Sequence, residues 1–375
     1  MSSIYIHWPF CNSKCTYCNF YSIVQENLDY NAWVERYSKV LSKMSLFFRS
    51  NSKNEVITSI FFGGGTPSLL PENCICKILD SCAKYFVIDD HVEITLEANP
   101  CTLNKHKLQS LKNTGINRLS IGIQSINDVN LKMLGRKHSS SEGLDMVTTA
   151  SDIFDNVSAD FIYNIPGQSI NEWGDELKVI SSLPLKHVSL YELIVEDGTK
   201  MSQDIQCNKI PMPDQDNIEF ITRTYEVISN AGFTRYEISN FAKQNYMCRH
   251  SLSYWNYDEY YAAGPSSHAR VMQDNKKYTI EQVCDTNKWL KWVDSGCNFN
   301  MVELTDIDIL REKLIMGLRT IFGLDITEIP NQYNQTICDK INVLQKNNLA
   351  KLQKNRLILT DEGFIRLNKI VEYLA

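Results

Sequence analysis

The sequence predicts an α/β fold: a partial (β/α)6 barrel, followed by a small C-terminal winged-helix-like α+β domain. Three observations predict it. Short β-rich apolar runs alternate with longer segments of helical periodicity, which implies parallel pairing and right-handed crossovers. The runs end in polar or glycine residues unsuited to a core, as strands do at the C-terminal mouth of a β/α barrel. Past residue 300 the pattern becomes helix, short hairpin, helix. Six units are too few for the eight-stranded ring, so the barrel should be open.

Strands are expected at Ile4–Trp8, Ile57–Phe62, Val92–Glu97, Arg118–Ile123, Ser158–Asn164 and His187–Leu193. The first helix spans Asn27–Phe48, where Trp33, Val34, Tyr37, Val40, Leu41 and Met44 recur at i, i+3, i+4 spacing. Further helices fit Glu72–Tyr85, Lys105–Asn113, Val129–Leu134, Glu142–Phe154 and Ile170–Leu183. The strand ends carry Gly63–Gly65, Glu97, Gln124 with Ser125, Asp160, and Glu192. One polar strand end is commonplace; recurrence in successive strands is the signal. After Leu193 the alternation stops. Pro211–Asn217 reads as a loop feeding a helix to about Asn230, and Thr234–Ala242 as extended. Cys248–Arg270, rich in aromatic, glycine and polar residues, reads as loop with short elements. The expected divisions are residues 1–200 for the barrel, 201–300 for an extension and 301–375 for the C-terminal domain.

Composition excludes some functions. The net charge of −6 gives no broad basic footprint for nucleic acid. No apolar stretch approaches the roughly 18 residues of a membrane span. The first residues show no basic or Arg-rich targeting pattern, so a cytoplasmic location is expected. Outside export, the twelve cysteines should not form a disulfide framework. Nine of them, Cys74, Cys76 and Cys82 included, are scattered, and read as small buried hydrophobes or free surface thiols.

The other three stand in "CNSKCTYCNF": Cys11, Cys15 and Cys18, spaced C-x3-C-x2-C, with no fourth at Asn19 or Phe20. A structural zinc site wants four ligands, usually two close pairs. His7 could be a fourth, but it lies inside a β-like run. The better candidate is a four-iron cluster on three thiolates, with one iron corner open to a ligand. Downstream, "FFGGGTP" lacks the lysine of a phosphate loop. It reads as a tight turn, or as backbone laid open for an ammonium group. Around the same mouth, a carboxylate suits a ribose diol and an arginine suits a carboxylate. Ammonium, carboxylate and ribose together describe S-adenosylmethionine.

At this point the sequence resembles a known family. "YIHWPFCNSKCTYCNF", "FFGGGTPSLL", "ITLEANP", "INRLSIGIQSIND", "LGRKH", "DFIYNIPGQ", "CRHSLSYW" and "LIMGLRT" occur in the order seen in the radical SAM superfamily. The subgroup resembled holds oxygen-independent coproporphyrinogen III oxidases and heme chaperones. The resemblance implies that Cys11, Cys15 and Cys18 hold a [4Fe–4S] cluster whose open iron binds S-adenosylmethionine. It further implies that Gly64, Gly65 and Thr66 line the methionine moiety. Tyr5 and Tyr17 would lie beside cluster and cofactor, with Glu97, Gln124, Arg136 and Asp160 completing the pocket. In the family, the reduced cluster cleaves the cofactor to a 5′-deoxyadenosyl radical.

The subgroup divides at residue 20. The oxidase branch has a further cysteine there and the chaperone branch an aromatic; here it is Phe20. The chaperone branch also carries a heme-binding segment that "HSLSYW" (His250–Trp255) matches, except for Ser251 in place of asparagine. This implies His250 as heme-iron ligand, with Tyr254 and Trp255 covering the porphyrin. Cys248 and His268 are weaker candidates. The expected function is a heme chaperone that passes heme to respiratory heme proteins, with oxygen-independent coproporphyrinogen III oxidase as the alternative. The sequence leaves open whether the chain is an enzyme, forms a homodimer or touches a membrane peripherally.

Overall fold

The six expected strands form the middle of a twelve-stranded sheet in the computed structural model, which describes residues 2–50, 56–214 and 218–375. Strand β1 (Ser2–Trp8) runs into the cysteine segment, where β2 (Phe10–Cys11) and β3 (Ile23–Val24) pair in parallel. Then follow α1 (Tyr30–Ser50), β4 (Ile57–Gly64), α2 (Glu72–Tyr85) and β5 (Ile88–Ala98). The alternation continues through α3 (Lys105–Asn113), β6 (Arg118–Gln124), α4 (Asp128–Met133), α5 (Ser140–Ile153), β7 (Asn156–Tyr163), α6 (Ile170–Ser182) and β8 (His187–Glu192). The helix starts are written in the sequence. Ser139 with Glu142 and Ser169 with Glu172 form capping boxes, which satisfy the free amides of the first turns of α5 and α6.

Beyond β8 lie α7 (Lys200–Gln206) and α8 (Ile218–Asn230), so the loop expected at 211–217 ends outside the described residues. The stretch expected to be extended at 234–242 is two short strands, β9 (Thr234–Arg235) and β10 (Asn240–Ala242), of which β10 runs antiparallel on β8. The larger difference is at 248–270, expected to be loop with short elements. It holds helix α9 (Arg249–Trp255), strand β11 (Glu259–Ala263) and the start of β12 (His268–Gln273). Strand β11 pairs parallel with β1, from Ser2↔Glu259 to Ile6↔Ala263. It is a seventh parallel strand. Without it β1 would present a bare edge, and that tertiary demand outweighs a locally loop-like pattern. Strands β13 (Lys276–Glu281) and β14 (Met301–Glu303) extend the sheet antiparallel, with α10 (Thr286–Asp294) between them. The strand order β14-β13-β12-β11-β1-β4-β5-β6-β7-β8-β10-β9 does not close among the described residues.

The remaining elements are α11 (Asp306–Gly317), β15 (Leu324–Asp325), α12 (Asn331–Lys346), β16 (Ala350–Gln353), β17 (Arg356–Leu359), α13 (Asp361–Ile365) and α14 (Leu367–Leu374). They enclose a separate core that includes Leu314, Ile341, Leu357, Phe364 and Ile370. Arg235 ties this unit to the barrel, over the Phe364 ring and 3.0 Å from Asp361. No described helix is long and apolar enough to cross a membrane.

Strand periodicity separates two faces of the sheet. Ile4, Ile6, Trp8, Ile60, Phe62, Leu96, Leu119, Ile121, Ala159, Phe161, Val188 and Leu190 are buried in the main hydrophobic core. The alternate positions are Tyr5 and His7, Ser59 and Phe61, Glu93, Thr95 and Glu97, Arg118 and Ser120, Ser158 and Asp160, His187 and Ser189. They line the lumen, which is therefore mostly polar.

His7 shows how tightly the mouth end of β1 is built. A Cβ on Gly64 (φ +109°) would lie 2.7 Å from the His7 ring. One on Gly264 (φ +129°) would lie 2.3 Å from the His7 carbonyl oxygen. Both glycines are required by backbone angle and by space. We expect Gly264→Ala to destabilise the protein by several kcal/mol, through strain of about 1–3 kcal/mol plus the clash. Gly167→Ala, at φ +81° with nothing near its Cβ position, should lose only the strain. Urea unfolding of the two variants checks the difference.

Candidate functional site

The mouth of the barrel holds a cavity of about 400 Å³. Cys11, Cys15 and Cys18 line it together with Tyr17, Gly64, Gly65, Thr66, Glu97, Gln124, Arg136 and Asp160. Of the residues expected at the mouth, Tyr5 alone lies deeper, with its hydroxyl 3.2 Å from His7 Nδ1.

The cysteine loop is anchored at several points. Thr16 N–H donates to the Leu134 carbonyl at 3.1 Å and its hydroxyl to the Met133 carbonyl at 2.8 Å. Met201 N–H donates back to the Thr16 carbonyl at 2.8 Å. At the other end His7 Nε2 lies 3.0 Å from the Tyr21 carbonyl. A carbonyl only accepts, so Nε2 carries the proton. Burial lowers the His7 pKa, so the neutral ring accepts the Tyr5 hydroxyl at Nδ1. His7 thus supports the loop structurally. The glycine turn is bonded to the same segment: Gly65 N–H donates to the Trp8 carbonyl at 2.7 Å and Thr66 N–H to that of Phe10 at 2.9 Å.

The sulfurs have their own donors. The Thr66 hydroxyl donates to Cys11 Sγ at 3.2 Å, and Arg136 Nη1 to Cys15 Sγ at 3.4 Å. Arg136 Nη2 donates to Asn99 Oδ1 and to the Gly122 carbonyl. Burial pushes the Cys11 and Cys18 thiols upward, and the Thr66 hydroxyl on Cys11 and the Phe20 backbone on Cys18 work the other way, toward thiolates. Among the described residues no three His, Cys, Asp or Glu side chains converge on one metal position. The residues nonetheless fit the cluster and cofactor that the sequence implies. All three thiols are free, and the buried Nε–H of Arg136 has no partner.

Two carboxylates stand deeper in the mouth. Burial, and then the nearby Asp160, push the Glu97 carboxyl up to about 8. Burial also raises Asp160, against hydroxyl donors that hold it down; Ser120 Oγ lies 3.0 Å and 3.1 Å from its two oxygens. Gln124 reaches the cavity from a β-bulge, where its backbone is forced to φ +75°. A non-glycine residue in that region stores strain and re-aims its side chain.

The expected heme segment lies elsewhere. Cys248, His250, Tyr254 and Trp255 line neither this cavity nor its neighbour. Helix α9 closes the barrel floor. The Glu93 carboxylate accepts from Arg249 N–H at 3.1 Å, from His250 N–H at 3.2 Å and from Cys248 Sγ at 3.4 Å. The His250 ring enters the lumen, stacked on Phe61 at 4.8 Å, with Nδ1 3.1 Å from Ser59 Oγ. Burial, and then Arg118, push its pKa down to about 3. Tyr254 and Trp255 lie one turn on, packed on each other and, through Tyr254, on Tyr260. In this structure the His250 ring is a wall of the lumen, stacked and hydrogen-bonded rather than exposed. His268 is exposed, beside Glu281.

Sequence reasoning missed Asn99, Ser120 and Tyr191 in the mouth. Inward alternation in "RLSIGIQ" and "HVSLYE" could have found Ser120 and Tyr191; Asn99 follows its strand and had no such signal. The raised Glu97 pKa has a testable sign. The folded state holds a proton that the unfolded chain releases near 4.5, so this contribution to stability is lost as pH rises from about 4.5 to about 8. Glu97→Gln removes the titration. Its melting temperature relative to wild type should climb over that window and level off above it, as measured by thermal unfolding of the ligand-free proteins.

Comparison with known proteins agrees with this architecture. Residues 5–180 match the Radical SAM superfamily, and residues 304–368 match the HemN C-terminal domain. A heme chaperone HemW of Buchnera aphidicola subsp. Acyrthosiphon pisum is 37% identical, over 99% of this chain and 97% of its own. A mitochondrial radical S-adenosyl methionine domain-containing protein 1 of Danio rerio is 32% identical, over 97% of this chain and 83% of its own. Coproporphyrinogen III oxidase HemN of Escherichia coli shares the fold, with a TM-score of 0.82 at 20% identity over 100% of this chain and 89% of its own. The chain belongs to the radical SAM superfamily, among its HemN- and HemW-like members.

Proposed function

We propose that this protein is a heme chaperone that works in the cytoplasm, carries a [4Fe–4S] cluster and S-adenosylmethionine at the barrel mouth, and delivers heme to respiratory heme proteins. Phe20 carries the reading against the oxidase alternative. It is 66% exposed on the rim of the cavity, where the oxidase branch has a cysteine. A phenyl ring supplies neither a metal ligand nor a redox group. The names of the HemW relatives support the heme half of the reading.

In this reading Cys11, Cys15 and Cys18 hold the cluster, and Gly64, Gly65 and Thr66 face the methionine moiety. Glu97 and Asp160 receive hydroxyls, while the unpaired Arg136 Nε–H and Gln124 receive the cofactor's polar groups. Tyr17 closes the side of the pocket. When reduced, the cluster would supply an electron for cleavage of the sulfonium. The protein's own work is to hold the cofactor dry and oriented, and to keep thiolates stable in a buried wall.

Anaerobic reconstitution should give about four irons and four sulfides per chain, with an absorbance band lost on dithionite reduction. Cys15→Ala should lose both. The reconstituted protein should bind heme in a stoichiometric titration and leave coproporphyrinogen III unconverted when given S-adenosylmethionine and reductant. Formation of protoporphyrinogen would overturn the chaperone reading in favour of the oxidase.

A further inference from the structure

The heme reading assigns His250 to an iron, while the geometry assigns it to the barrel floor. These cannot hold at once. The imidazole is flanked by Phe61 at 4.8 Å and Tyr5 at 6.2 Å, and is bonded to Ser59. A macrocycle cannot approach a ring enclosed in this way.

We propose that α9 is a latch, with His250 either sealing the barrel floor or binding a metalloporphyrin, and that opening it loosens the cysteine loop. The proposal rests on the heme reading and adds its regulation. Three sets of contacts hold the latch shut: the three donors on Glu93, the seat of His250 on Ser59 and Phe61, and the bonds from Arg249 Nη1 to the His91 carbonyl and from Cys248 N–H to the Tyr236 hydroxyl. Arg118 is charge-coupled to Glu93, so the carboxylate keeps a counter-charge when the helix leaves.

A continuous column joins the latch to the loop. His250 stacks on Phe61, and Phe61 on Tyr5 at 6.2 Å. The Tyr5 hydroxyl bonds His7, and His7 bonds the Tyr21 carbonyl three residues beyond Cys18. Removing His250 takes the packing partner from below Tyr5, and Tyr5 is what fixes the His7 ring that holds the loop. A latched state also reduces apparent porphyrin affinity by the fraction of molecules that are open. Weakening the seat without touching the imidazole should therefore tighten binding.

The test uses the full chain and zinc protoporphyrin IX, which takes one imidazole and does not oxidise thiols. Affinity is read from porphyrin absorbance, and loop order from the alkylation rates of Cys11, Cys15 and Cys18 by mass spectrometry. Ser59→Ala removes one latch hydrogen bond and should bind the porphyrin about fivefold more tightly. Porphyrin should speed alkylation of the three cysteines several-fold in wild type. His250→Ala should lose binding and show the faster alkylation without porphyrin. If wild type and His250→Ala bind alike, the heme assignment of His250 fails. If binding needs His250 but alkylation is unchanged or slowed, the coupling fails and the heme reading stands. Equal or weaker binding by Ser59→Ala overturns the latch.

Discussion

The structure depends on one constraint: a barrel whose inner face is polar must find a partner for every buried group. Groups left unpaired away from water cost about 1–3 kcal/mol each, and more when charged. Along β5, β6, β7 and β8 the inward positions bring Glu93, Glu97, Arg118, Ser120, Ser158, Asp160 and His187 into one lumen. The lower half meets most of the requirement internally, with Thr95 Oγ1 and Arg118 Nε left over. Ser158 bonds His187 at 2.8 Å, His187 bonds the Tyr236 hydroxyl at 2.8 Å, and that hydroxyl accepts from Cys248 N–H at 3.2 Å. Glu93 completes the layer by receiving the start of α9. A helix at the floor is thus a consequence of a charged lumen, since Glu93 needs donors that the strands do not supply.

The upper half meets the same requirement only in part. The Asp160 carboxylate has serine hydroxyls, but Glu97 remains so poorly solvated that it keeps its proton to about 8. Arg136 spends two nitrogens on Cys15, Asn99 and Gly122 and keeps its Nε–H unused. A polar layer left incomplete beside an open cavity is what a site for a charged, hydroxylated ligand requires. The same fold therefore gives a sealed polar floor and an unsealed polar mouth. The difference between them is the availability of donors.

Much of this was legible in the sequence, for a physical reason. The six strand–helix units are local: hydrophobic period, capping serine and turn glycine lie within a few residues of each other. The strand-end polar residues could be named because a parallel barrel sends them all to one mouth. Three features were not legible. Strand β11 is specified by the free edge of β1, some 250 residues away in the chain, as the register Ser2↔Glu259 shows. The place of His250 is specified by Glu93, Ser59 and Phe61, none of them near it in sequence. Asn99 acts through Arg136 and Thr66, which it bonds from the loop after its strand. In each case a long-range partner decides, and periodicity is silent about partners.

His250 and Phe20 show how a motif and a structure inform each other. Phe20 lies on an exposed rim, so its identity is free of packing demands and can report on chemistry. His250 is held by stacking, a hydrogen bond and a desolvated setting, so its identity is already explained by the floor. A histidine that satisfies a buried network needs no ligand to account for it. If it also serves one, the network must be weak enough to open. The contacts that hold it are one hydrogen bond and a stack on the ring, and a capping carboxylate on the backbone. Each is worth about 1 kcal/mol, up to about 3 where charge is involved. In the proposed latch it is α9, seven residues long, that yields.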